Sequence, residues 1–178
     1  GRVTSWVRPQ AEPKPRHQVR TPQAVLAVRG TEFRVQATEQ LTRVETLSGQ
    51  VAIRTAKDAQ QVLTAEQGLL IDARTARPQP RRLPAAPEIG DGLRHAERPL
   101  VKLDASEVPG AQGYRFQVAS DARFQHMLLD VHTTEPALRT AALPDGDLHW
   151  RVRAQDAHGM EGRDAVGRLH LNARPEPP

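Results

Sequence analysis

Four serines, Ser5, Ser48, Ser106 and Ser120, could act as hydroxyl nucleophiles, yet none sits in a Gly-x-Ser-x-Gly elbow. The seven histidines, His17, His95, His126, His132, His149, His158 and His170, could ligate a metal. No two of them have the His-x-x-x-His or His-Glu-x-x-His spacing that such a site uses. His149 adjoins the inward Trp150 on its strand and so reads as a solvated outward residue. Asp145 and Asp147 flank Gly146, a pattern that suits a tight turn with side-chain bonds to nearby backbone better than an acid–base pair. Residues 156–162 (DAHGMEG) put oxygen donors near two glycines but lack the Asp-x-Asp-x-Asp-Gly spacing of a calcium loop, so they read as an inter-strand loop. Gly110 and Gly113 follow Pro109 and lead into a strand pattern, not a helix, which makes them turn residues rather than a phosphate cradle. The chain has no cysteine, which excludes disulfides, thiolate metal sites and a Cys nucleophile while leaving the redox compartment open. No catalytic, cofactor-binding or metal-binding residue is expected, and the chain reads as a non-enzyme.

Recognition is the chemistry left. The formal charge is +4, and nearly all the cations are Arg, with Lys only at positions 14, 57 and 102. The arginines are scattered singly, only Arg81 and Arg82 being adjacent, and no stacking aromatics are interleaved with them, so a nucleic-acid surface is not expected. Two places stand out as partner-binding candidates. One is the polar interruption Arg29, Thr31 and Glu32 in the run 27–35 (AVRGTEFRV), where Gly30 permits a turn between a Val25–Val28 strand and a Phe33–Val35 strand. The other is the outward row Arg151 and Arg153, which could meet an acidic or extended partner strand.

The elements that must position these residues are all strands. Residues 24–74 show short period-two runs broken by Gly or polar pairs: Phe33 and Val35, then Val44, then Val51 and Ile53 after a Ser48-Gly49 turn, then Val62, then Leu69 and Ile71. Farther on, Tyr114, Phe116 and Val118 face one way and Arg115 and Gln117 the other, a pattern repeated by Leu148, Trp150, Val152 and Ala154 against His149, Arg151 and Arg153. Such strands bury one face and suit a small antiparallel sandwich. With only six aromatics, Trp6, Phe33, Tyr114, Phe116, Phe124 and Trp150, each large ring is a candidate core anchor, Trp6 being the one left over for an exposed platform. Prolines divide the chain. Residues 1–19 read as an extended arm with room for one added strand, 20–77 as a first β-domain, 78–97 as a semi-rigid Pro-rich linker, 98–173 as a second β-domain and 174–178 as a disordered tail. The fold class is all-β. No apolar run approaches the ~18 residues of a membrane span, and residues 1–20 carry no apolar leader segment.

The runs TPQAVLAVRGTEFRV (21–35), TRVETLSGQVAI (42–53) and LTAEQGLLI (63–71) together resemble the FecR domain in order and spacing, over about residues 20 to 86. That resemblance implies a short-stranded β-roll or solenoid-like module, extracytoplasmic and, in Gram-negative bacteria, periplasmic. Such modules serve signal sensing between outer-membrane receptors and anti-sigma machinery. The runs VPGAQGYRFQVASDARF and LPDGDLHWRVRAQDAHGMEGRD are similar to fibronectin type III-like domains. Ala105 stands where that family usually has tryptophan and Leu148 where it commonly has tyrosine, which leaves Trp150 as the principal core anchor. The expected role is a periplasmic or cell-envelope interaction or signal-sensing module with an envelope protein as partner. The alternative is peptidoglycan or polysaccharide binding, with Trp6 as its platform.

Overall fold

The structure, a computed structural model, describes residues 2–6, 17–90 and 93–173, the side chains of 2–6, 17, 29 and 93 excepted. The residues 7–16 of the expected arm, the tail 174–178 and the Trp6 side chain lie outside the described residues. Among the described residues every regular element is a strand, and no helix is long and apolar enough to cross a membrane. The chain divides into two compact units, residues 1–83 and 84–178.

The first unit is built on one long hairpin. Strands β3 (Ala24–Ala37) and β4 (Leu41–Thr55) pair antiparallel along their length. β1 (Arg2–Trp6) joins the second half of β3 and β2 (His17–Arg20) the first half. On the other side, β6 (Gln67–Asp72) joins the first half of β4 and β5 (Gln60–Thr64) the second half, with the short β7 (Arg81–Arg82) on β6. The alternation seen in the sequence closes the core: Leu26, Val28, Phe33, Val35, Val44, Val51, Ile53, Leu69 and Ile71 are all buried in one cluster.

The expected turns at Gly30 and at Ser48-Gly49 are absent. Both segments are bulges within continuous strands, with register slips on β3 between Arg29 and Glu32 and between Glu32 and Phe33. A bulge bends and twists a strand without ending it. Gly30 and Gly49 have φ of 59° and 75°, which supplies the bend.

The second unit sets a five-stranded sheet against a two-stranded one. The larger sheet runs β11 (Met127–Thr133), β10 (Gly113–Ala119), β13 (Gly146–Gln155), β14 (Ala165–Leu171) and β8 (Leu93–Ala96), the last pair parallel and the others antiparallel. The smaller joins β9 (Val101–Asp104) to β12 (Ala137–Thr140). Between them Trp150, 1% exposed, stacks on Phe116 with ring centres 6.4 Å apart. Tyr114 is buried too, its hydroxyl accepting the Val108 amide at 2.9 Å.

The stretch 78–97, expected as a semi-rigid Pro-rich linker, includes residues paired into sheets. Arg81 and Arg82 pair with β6, and Leu93–Ala96 forms β8. Between these, the Ser106 amide donates to the Glu88 carbonyl at 2.7 Å and the Glu88 amide to Ser106 Oγ at 2.8 Å. A side chain at Gly162 would come within 2.1 Å of the Pro84 carbonyl oxygen, so the backbone there is in direct contact. Proline lacks a donor and favours extended backbone, which is compatible with lying along a sheet edge as well as with bridging domains.

Candidate functional site

Each unit has a bulge or sheet face on which the expected recognition residues fall. In the first unit Thr31 is 1% exposed. Its hydroxyl donates to the Gln50 carbonyl at 2.8 Å, and the Gln50 amide donates back to it at 3.2 Å. The residue clamps the bulge across the hairpin and is not presented to a partner. Glu32 is half-buried, and its amide donates to Ser48 Oγ at 3.3 Å. The Arg29 backbone lies in β3 opposite Gln50, and its side chain is outside the described residues. Nearby, Arg34 and Glu45 stand opposite each other and form a buried ion pair at 2.9 Å. A cleft of about 200 Å³ lies beside Pro22, Gln23, Lys57 and Asp72. Two of its charged groups bond the local backbone: Lys57 Nζ donates to the Arg74 carbonyl at 2.9 Å, and Asp72 accepts the amides of Arg74 and Thr75 at 2.7 and 2.6 Å.

In the second unit the outward row is the informative surface. Alternation puts Arg115 and Gln117 on β10, Asp130 on β11, and Arg151 and Arg153 on β13, side by side on the face away from the core. The loop after β13 then folds back over them, bringing Glu161 and Asp164. Arg115 binds Asp130 with two parallel bonds of 2.7 and 2.6 Å and reaches Glu161 at 3.2 Å. Gln117 sits at the centre, donating to Asp130 at 2.8 Å and accepting from Arg151 Nε at 2.7 Å and from Arg153 Nη2. Arg153 lies 3.3 Å from Glu161, and its Nε is 3.0 Å from Asp164 Oδ1 but out of line for a hydrogen bond, so that contact is an ion pair only. Arg151 lies 3.4 Å from Asp164.

Arg151 and Arg153 therefore do not form the exposed cationic row that strand alternation suggested. Their side chains are 17% and 3% exposed, and Glu161 is 2% exposed. Three guanidiniums face three carboxylates, and buried charges are tolerated when paired and hydrogen-bonded in this way. The loop's own carboxylate, Asp156, accepts the amides of His158 and Met160 at 2.8 and 2.9 Å. At the other end of β13, Asp145 accepts the Ala173 amide at 2.9 Å and Asp147 bonds His170 at 2.7 Å, so both reach across the sheet.

The network has a pH signature. Burial alone would raise the Asp130 carboxyl, but the bonds from Arg115 and Gln117, with the Arg115 and Arg153 charges, outweigh it and hold the group below its ordinary value. Asp121 is shifted the same way by the His126 amide first, then those of Gln125 and Arg123. A carboxyl whose pKa is lower folded than unfolded stabilises the fold above the unfolded value, about 3.9, and that contribution is lost as pH falls through the folded value. We expect the urea midpoint of the second unit, followed by Trp150 fluorescence with Trp6→Phe, to drop below about pH 4. Asp130→Asn should flatten that drop, and an unaltered pH profile in the variant would exclude Asp130 as its source.

One residue that alternation could not place is Phe124. It does not belong to the core cluster of the second unit. It lies half-buried in the loop between β10 and β11, with the Arg151 guanidinium carbon 4.1 Å from its ring centre. Its position after Asp121, a residue that favours local bonds to backbone, was the available signal for a structured loop.

The FecR protein family model matches residues 1–52, a segment that ends within β4. No curated protein matches the chain. Among solved structures, an Fn3-like protein from Clostridium thermocellum is 15% identical, covering 53% of this chain and 94% of its own, with a TM-score of 0.38. The FN3tt structure is 16% identical over 53% of this chain and 100% of its own, at a TM-score of 0.39. The fibronectin(III)-like modules of Clostridium thermocellum CbhA are 12% identical over 50% and 98%, at 0.37.

Proposed function

We propose that this chain, a FecR-type unit followed by a fibronectin type III-like sandwich, is a non-enzymatic interaction or signal-sensing module of the bacterial envelope. On this reading it works outside the cytoplasm by contact with an envelope protein. The observation that carries the proposal is the FecR match over residues 1–52. The buried charges are consistent with it. Arg34 with Glu45, and Arg115, Arg151 and Arg153 with Asp130, Glu161 and Asp164, are arranged to neutralise one another rather than to converge on a substrate. A binding module needs surfaces held rigid by such pairs, whereas a catalytic site needs titratable groups facing a cavity.

The test is chemical cross-linking of the full chain in a Gram-negative envelope extract, followed by mapping of the linked peptides. A discrete partner linked through residues 17–83 is expected. Recovery of nothing above the level seen with an unrelated β-sandwich would reject the proposal.

A further inference from the structure

The sheet of the second unit brings together two histidines that lie far apart in the sequence. His95 on β8 and His170 on β14 are partners in the parallel pair, and His170 is also opposite Asp147 on β13. The three residues form one row across the β13, β14 and β8 side of the sheet. That row lies on the face away from the core, because the chain neighbours Leu148, Leu169, Leu171 and Ala96 all pack inward.

Contacts order the row. Asp147 Oδ1 lies 2.7 Å from His170 Nδ1. An ionised carboxylate only accepts, so Nδ1 carries the proton and donates it, which leaves the lone pair of the neutral ring on Nε2. The His95 ring stands alongside, its centre 5.7 Å from that of His170 and its plane tilted by 59°. No other two imidazoles among the described residues make a ring contact. Both rings reach solvent, His95 being exposed and the His170 side chain 41% exposed.

A bond from one ring nitrogen to a carboxylate is the usual accompaniment of a metal-binding histidine, since it fixes the ring and raises the basicity of the other nitrogen. Two imidazole nitrogens that share one Zn²⁺, each about 2.0–2.1 Å from it, stand roughly 3.4 Å apart in tetrahedral geometry. Turning the exposed His95 ring about its side-chain bonds brings a nitrogen that close to His170 Nε2. Among the described residues no group of three His, Cys, Asp or Glu is placed to hold an ion. The row therefore offers two imidazoles as ligands and Asp147 as the group that orients one of them, and water completes the coordination. Arg168, two positions along β14 and exposed, can extend its charge into water.

We propose that His95 and His170 bind Zn²⁺ or a divalent ion of the same imidazole-binding class, with Asp147 holding His170 in the ligating tautomer. Mg²⁺ and Ca²⁺ prefer oxygen donors and are not ligands of this pair. The site stands apart from the reading of the chain as an interaction module, and neither depends on the other.

The probe is Zn²⁺ titrated into the isotope-labelled full chain, with the imidazole nitrogen–proton correlations followed by NMR. The His95 and His170 rings are expected to shift together and ahead of every other histidine, His170 through Nε2 with Nδ1 still protonated, and Mg²⁺ should move neither. Asp147→Asn should weaken binding about tenfold, and His95→Ala and His170→Ala each by more than that, with the remaining amide spectrum unchanged. Either histidine variant suffices if the other fails to fold. No movement of the two rings at millimolar Zn²⁺ would overturn the proposal. So would shifts as large at His126, His132, His149 or His158, or an affinity that survives loss of either ring.

Discussion

Gly49→Ala is expected to destabilise the first unit by about 3 kcal/mol or more, from two causes that add. The residue has φ of 75°, where a Cβ costs about 1–2 kcal/mol by crowding its own carbonyl. In addition, a Cβ there would stand 2.8 Å from the Gly30 carbonyl oxygen and 2.9 Å from Thr31 Oγ1. The first of these is backbone held within the bulge, and the second is the hydroxyl that ties the bulge to Gln50, so neither can move aside cheaply. Gly110→Ala supplies the control, because Gly110 has a similar φ of 80° with nothing within 4 Å of the added carbon. Urea denaturation of both variants separates strain from clash. Equal losses would mean that the close approach at the bulge is unimportant.

The second large effect is expected from Arg153→Leu. Removing this guanidinium deletes the 3.3 Å ion pair to Glu161 and the 3.0 Å ion pair to Asp164 from the cluster they share with Arg115 and Arg151. Deleting one partner of a buried ionic cluster typically costs about 3–5 kcal/mol, because the remaining charge is no longer compensated. Arg168, on the exposed part of β14, offers the contrast: surface replacements of that kind usually stay within about 0.5 kcal/mol. The loss should appear as a lower urea midpoint and as faster amide exchange in residues 156–164, the loop that the network fastens to the sheet.

These effects separate what the sequence could tell from what it could not. Period-two alternation identified the strands and most inward residues, since Phe33, Val35, Phe116, Val118, Trp150 and Val152 all point to cores, whereas Val62 of the same series is exposed and its neighbour Leu63 is buried. The same alternation put Arg115, Arg151 and Arg153 on the outward face of their strands. It carried no information on what covers that face, because Glu161 and Asp164 arrive from a loop whose path depends on the finished sheet. Gly30 and Gly49 were legible as positive-φ positions, but a turn and a bulge need the same residue, and only pairing across the hairpin distinguishes them. Phe124 was misjudged for a different reason. Large rings are usually core anchors, and the cap from Asp121 that holds this one outside the core consists of backbone amides invisible to residue type. That β11 ends its sheet was hidden likewise, since strand order is a property of topology.

The most direct measurement is a double-mutant cycle by urea denaturation of Arg153→Leu, Glu161→Leu and the pair together. If the outward charges are internal fastenings, the double variant loses less than the sum of the singles, with a coupling above about 1 kcal/mol. Losses that simply add, or an Arg153→Leu variant as stable as Arg168→Leu, would contradict the claim that this face holds the fold together.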